Sequence, residues 1–166
     1  PRHQARAEIL WTRTICRQED RYIGWPTVCR LRSGDIIAVF SGDREAHVCP
    51  FGKVQLVRSK DGGETWSEPI TIANGPIDDR DAGIVQMPDG TLLVTYFTST
   101  AYRTKKFIDQ KLPRDDPRYW WQRHDEKIPD DTRRKALGYY RMISKDDGHT
   151  WSKPEKMKDL SHTPHG

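Results

Sequence analysis

The sequence predicts an all-β fold of repeated four-stranded antiparallel sheets, on three observations. An eleven-residue segment occurs twice. A strand–turn–strand pattern precedes each copy. The spacing leaves room for four strands per copy.

The first observation is the strongest. Ser59-Lys60-Asp61-Gly62-Gly63-Glu64-Thr65-Trp66-Ser67-Glu68-Pro69 returns as Ser144-Lys145-Asp146-Asp147-Gly148-His149-Thr150-Trp151-Ser152-Lys153-Pro154, with eight of eleven positions identical. Upstream, Val28–Leu31, Gly34 and Ile36–Phe40 match Ile84–Met87, Gly90 and Leu92–Tyr96. Ser33-Gly34-Asp35 and Pro88-Asp89-Gly90 supply the turn chemistry between those strands. The hairpins lie 56 residues apart and the later boxes 85, so the second copy carries an insertion of 29 residues.

Strands are therefore predicted at about 25–32, 35–41, 53–59 and 65–72, then at 82–87, 91–98, 138–144 and 150–157. Glu8–Ile15 reads as one strand more. A period of about 45–60 residues with four antiparallel strands is that of a β-propeller blade. Residues 1–166 then form part of one propeller domain, its N-terminal portion. Blade 1 covers about 25–73, and blade 2 about 82–158 with a charged, partly helical insertion at about 101–138. Blade 3 starts at 162–166.

Composition excludes several alternatives. The chain has 166 residues, net charge +4 and six Trp, six Tyr and four Phe, too many aromatics for a disordered chain. No apolar run approaches the ~18 residues of a helical membrane span. Three cysteines cannot all pair, and Cys16, Cys29 and Cys49 lack metal-ligand spacing. Neither metal nor cofactor is expected. No phosphate-binding glycine loop is present.

Within each box the residues have turn chemistry. Asp61 can accept hydrogen bonds from backbone N–H groups across the turn, Gly63 permits positive φ, and Trp66 offers a large apolar surface. Ser59 and Thr65 complete the first box, and Ser144, Asp146, Gly148, Thr150 and Trp151 repeat it. A catalytic carboxylate has no reason to recur at the same place in each sheet, so Asp61 and Asp146 read as turn staples. These boxes resemble the Asp-box, or BNR, repeats of the sialidase (neuraminidase) superfamily. The resemblance implies a six-bladed propeller and a glycoside hydrolase similar to exo-α-sialidases, with a carbohydrate substrate. It implies a secreted or periplasmic location. A non-catalytic propeller that binds glycan or protein is the alternative, because such repeats occur outside sialidases too.

In a four-stranded meander the first and third turns share one end, and the middle loop and the crossovers share the other. The boxes occupy the first end. The second end collects residues 42–52 and about 99–137, with the crossovers 20–26, 75–82 and 160–166. Arg, Asp and His recur there. Arg44, Arg80, Arg21, Asp79, His165 and Trp25 are candidate substrate-binding residues. Asp81, Asp43, Glu45 and His47 are candidate catalytic groups. The other reading of this set is loop-anchoring salt bridges.

The resemblance implies a cluster of arginines gripping a sugar carboxylate, an Asp as acid/base and a Tyr nucleophile activated by Glu. Arg44 looks like the arginine that follows the second strand in that family. Ile23-Gly24-Trp25-Pro26 stands where the family has Phe-Arg-Ile-Pro, so Gly24 replaces its first arginine. Glu45 and His47 stand in the loop where the family has its acid/base Asp. The insertion holds the entire positive surplus and Tyr119-Trp120-Trp121. It reads either as a lid with sugar-stacking aromatics or as an extension packed on the rim, with short helices at about 116–122 and 131–137. Its seven acids among eleven bases argue against a nucleic-acid partner.

Overall fold

The computed structural model describes residues 8–158. Two four-stranded antiparallel sheets make up the chain. The first runs β1 (Tyr22–Arg30), β2 (Ile36–Arg44), β3 (Lys53–Ser59), β4 (Ile70–Ala73) in spatial order. The second runs β5 (Asp78–Gln86), β6 (Leu92–Ser99), β7 (Tyr139–Ser144), β8 (Glu155–Lys156). The proposed start of a third repeat at 162–166 lies outside the described residues.

Alternation along β2 and β6 builds the core. Ile37 and Val39 on β2, with Leu31, Val54, Leu56 and Ala73, face Ala82, Leu92, Val94, Tyr96 and Met142 of the second sheet. Ala38 and Phe40 point to the opposite face of the first sheet, where Val57, Ile15, Cys16, Ile23 and Trp66 cover them. β2 is thus buried on both sides, which accounts for its unbroken apolar run Ile36–Phe40.

Three expectations change. Glu8–Ile15 is not a strand; it crosses the face of the first sheet, where Arg13 donates to the Gly63 carbonyl and Ile15 packs on the second apolar cluster. A strand needs a free edge to pair with, and a sheet face offers none. β1 and β5 begin three and four residues earlier than expected, at Tyr22 and Asp78, because polar residues there are paired rather than looped out. β2 runs on to Arg44, so Gly42–Arg44 belong to the sheet and not to the loop.

The fourth strands are shorter than expected. At their start a serine side chain replaces a carbonyl in the ladder: Arg58 N–H donates to Ser67 Oγ, and Ile143 N–H donates to Ser152 Oγ. Regular pairing resumes after Pro69 and Pro154, which have no N–H to give.

The repeated turn forms as its composition requires. Ser59 Oγ donates to Asp61 Oδ1 at 2.8 Å and accepts from Gly63 N–H at 2.8 Å, while Thr65 N–H donates to Asp61 Oδ1 at 2.9 Å. Ser144, Asp146, Gly148 and Thr150 repeat these bonds. Trp66 Nε1 donates to the Gly63 carbonyl and covers the outer face, whereas Trp151 packs against the core between the sheets.

Between β6 and β7 lie α1 (Lys105–Asp109), α2 (Tyr119–Asp125) and α3 (Asp130–Ala136). α1 was not expected; its signal is Thr104, whose hydroxyl caps Phe107 N–H. The helices are anchored by Tyr102, Phe107, Leu112 and Trp121, which pack on Cys49, Ala46, Val48 and Phe51 of the β2–β3 loop.

Hydrogen bonds from Thr65 and Ser59 hold the Asp61 carboxyl well below the usual carboxylate range, and Thr150 and Ser144 do the same for Asp146. Their stabilisation is complete above the unfolded-state value of about 4 and is lost as pH falls toward the folded values. Converting both to Asn should lower the melting temperature at pH 7 and make the acid limb of stability shallower. Thermal melts from pH 7 down to pH 2 would test this; an unchanged acid limb would count against it.

Candidate functional site

The site grows from two bulges at equivalent places. In β1 the register shifts between Gly24 and Thr27, and in β5 between Arg80 and Gly83. Trp25 and Asp81 occupy these bulges at φ +53° and +49°, in the left-handed region. Extra residues of this kind re-aim side chains at sheet ends. The 56-residue offset makes Gly24 the counterpart of Arg80. A Cβ at Gly24 would meet the Tyr22 ring at 3.0 Å, so a side chain there requires that exposed ring to shift. The cationic side chain at this level comes from the second sheet alone.

Beneath the bulges lies a buried ion pair. Arg44 Nη1 and Nη2 donate to Asp78 Oδ1 and Oδ2 at 2.6 and 2.8 Å, and neither side chain has any exposed surface. Nε donates to the Ala46 carbonyl, and the terminal nitrogens donate further to the carbonyls of His47 and Asp79. No donor of Arg44 is left over. Gly52 makes the approach possible, because a Cβ there would lie 2.1 Å from both Arg44 Nη1 and Asp78 Oδ1. Burial pushes the Asp78 carboxyl upward, and the bonds and charge of Arg44 oppose that shift.

Arg80 is arranged differently. Its side chain is 7% exposed, and its nearest carboxylate oxygen, Asp78 Oδ2, is 3.8 Å away. Nε has no hydrogen-bond partner among the described residues. The guanidinium lies 4.6 Å from the centre of the Trp25 ring, which also lies 5.3 Å from that of Arg44. Trp25 meets His47 edge-on at 4.9 Å, and the Tyr22 hydroxyl shares a 3.2 Å hydrogen bond with His47 Nδ1.

The carboxylates expected here have separate fates. Asp43 pairs with Arg21 and Lys53, and Glu45 with Arg21 and the Trp121 indole N–H. Asp81 is exposed, its backbone N–H held by Ser41 Oγ at 3.0 Å. Asp79 is buried; Oδ2 accepts from Gly75 N–H, while Oδ1 has no partner among the described residues. Asp79 lines a cavity of about 140 Å³ with Tyr96, Thr98 and Tyr140. Burial, with help from the Asp78 charge, pushes its carboxyl up to about 7 against the Gly75 bond. His165 lies outside the described residues.

Arg44, Arg80, Trp25 and His47 are thus brought together, and Arg21, Asp43 and Glu45 form an ion-paired cluster beside a cleft of about 650 Å³ lined by Arg21, Tyr22, Ile23 and Glu45. Sequence reasoning missed Asp78 and Tyr22. The Gly75-Pro76 turn just before Ile77 was the available sign that a strand starts at Asp78. The Tyr119-Trp120-Trp121 run splits: Trp121 is buried on the β2–β3 loop, and Trp120 is 67% exposed.

A Bacteroides fragilis sialidase is 29% identical to this chain over 147 residues, covering 82% of the chain and 25% of that protein. The chain resembles the sialidase superfamily. It spans a quarter of the length of this curated relative. No family model matches it. Among solved structures, a protein of unknown function from Dyadobacter fermentans is 25% identical with a TM-score of 0.58, covering 85% of this chain and 38% of that one. A Hadza microbial sialidase is 22% identical with a TM-score of 0.46, covering 80% and 24%.

Two substitutions test the electrostatics. Asp78→Asn leaves two buried guanidinium groups without their counter-charge, and a loss of about 3–5 kcal/mol is expected in urea unfolding. A loss under about 1 kcal/mol would mean the pair contributes no more than an exposed one. Asp79 holds its proton to higher pH than the unfolded chain does. Its contribution is complete below about pH 4 and is lost as pH rises through about 7. Asp79→Asn should flatten the stability profile between those limits, read as urea midpoints across that range.

Proposed function

We propose that this chain is part of a glycoside hydrolase resembling exo-α-sialidases, cleaving a terminal acidic sugar from a glycoconjugate. In this reading the two sheets are blades of a six-bladed Asp-box propeller, blade 1 at about 25–73 and blade 2 at about 82–158. The helical segment is then an insertion of the second blade. The observation that carries the reading is the Arg80 guanidinium, buried at the loop-rich end with an N–H that no described residue accepts.

Arg80 is the anion-binding group. A guanidinium meets a carboxylate in two parallel hydrogen bonds, fixing the orientation of the sugar as well as its charge. Arg44 supports it without touching substrate: its donors are engaged, and it fixes Asp78 beneath Arg80. Asp81 is the proton donor to the leaving oxygen, exposed one residue beyond Arg80. His47, held by Tyr22, is the second proton-transfer group on this surface. Asp43, Glu45 and Arg21 serve as a rim that positions the β2–β3 loop.

A non-catalytic glycan-binding propeller is the second reading, and Gly24 in place of the family's first arginine favours it. Fluorogenic glycosides separate the two. Turnover of an acidic glycoside is expected, with Asp81→Asn reducing kcat by about 10²–10⁴-fold and Arg80→Gln acting mainly on KM. Absence of turnover across acidic and neutral glycosides by the folded full-length protein would leave the binding module.

A further inference from the structure

We propose that Trp25 is a displaceable cover over the Arg80 guanidinium, and that the ligand which displaces it is a monoanionic sugar acid. This rests on Arg80 as the anion-binding group but not on catalysis.

Arg80 lacks what buried arginines ordinarily have. Asp78 Oδ2 stands 3.8 Å from it and already accepts from Arg44 at 2.8 Å. Two guanidinium groups share one carboxylate, and the Arg80 Nε–H points at no acceptor among the described residues. A buried donor in that state is costly unless something else completes it. Indole fills the space: the Trp25 ring lies 4.6 Å from the Arg80 guanidinium. A ring face attracts the cation but accepts no strong hydrogen bond.

The cover is weakly held. Trp25 belongs to none of the three apolar clusters. Its other aromatic neighbours, Tyr22 and His47, are themselves exposed. Its backbone is in the left-handed region at φ +53°, an uncommon conformation for a bulky residue. A carboxylate on Arg80 replaces a cation–π contact by two charge-assisted hydrogen bonds, so the liganded site favours an open indole.

Charge selects the class of ligand. Arg44, Arg80 and Asp78 together carry one positive charge, and Asp81 follows Arg80 directly. One negative charge balances the three buried groups, whereas a phosphate dianion exceeds that charge and adds repulsion from the exposed Asp81 carboxylate.

The experiment is a titration of the full-length protein with glucuronate, followed by tryptophan emission and acrylamide quenching. Methyl glucoside and inorganic phosphate are the comparison ligands. A saturable emission change with increased quenching is expected from glucuronate, and none from methyl glucoside. Trp25→Phe should remove the optical signal while calorimetry still detects binding. Trp25→Ala should bind at least as tightly as the parent, and Arg80→Lys, which keeps the charge without the fork, about tenfold more weakly. Glucuronate binding with unchanged quenching, or a loss of about tenfold in Trp25→Ala, would make the indole a fixed wall and overturn the cover. Tighter binding of phosphate than of glucuronate would overturn the ligand class, and no glucuronate binding would overturn the site. Binding without turnover leaves this inference standing and removes the hydrolase reading; turnover without the Trp25 signal does the reverse.

Discussion

Arg44 reaches from the end of β2 to the start of β5 and sets both terminal nitrogens on the two oxygens of Asp78, with neither side chain touching solvent. The two sheets share an apolar core further along, but apolar contact does not fix their relative height. A bidentate bond does. It places the β1 and β5 bulges side by side, and with them Trp25, Arg80 and Asp81. This geometry requires glycine at position 52 by space alone, since any side chain there would occupy the position of the pair.

The same pair explains the electrostatics nearby. Asp78 compensates Arg44 fully and Arg80 in part, and Asp79 next to it is pushed toward protonation by burial and by the Asp78 charge. A strongly polar layer is thus buried directly above an apolar one. Such a layer is stable while each charge keeps its partner, and removing one partner is far more damaging than never having built the pair. Two polar atoms of this layer have no partner among the described residues, Asp79 Oδ1 and Arg80 Nε.

The opposite end of the sheets shows the contrast. There Ser59, Asp61 and Thr65, and again Ser144, Asp146 and Thr150, close tight turns with hydrogen bonds among near neighbours. Their carboxylates are engaged within seven residues of chain. At the loop-rich end decisive partners are distant in sequence: Arg44 and Asp78 lie 34 positions apart, and Glu45 and Trp121 lie 76 apart. Local bonds make a scaffold that repeats; distant bonds make an end that differs from one sheet to the next.

That difference decides what was legible in the sequence. The duplicated box, the two hairpins and the four-stranded order follow from periodicity and turn chemistry, which are local, and the structure carries them with shifted boundaries. Arg44, Arg80 and Asp81 were visible as charges at one end, because strand alternation fixes which end a loop occupies. Their roles were not. Arg44 and Arg80 look alike in sequence, and only burial and partners separate a guanidinium with every donor engaged from one with an N–H left open. Asp78 escaped notice because its meaning lies in a residue 34 positions earlier. The Glu8–Ile15 segment has strand-like residues, but no sheet edge lies where it runs. Sequence by itself determined the repeat and its turns, since those energies arise among neighbours; the tertiary structure decided which charges are spent on the fold and which remain for a ligand, since that depends on what burial brings together.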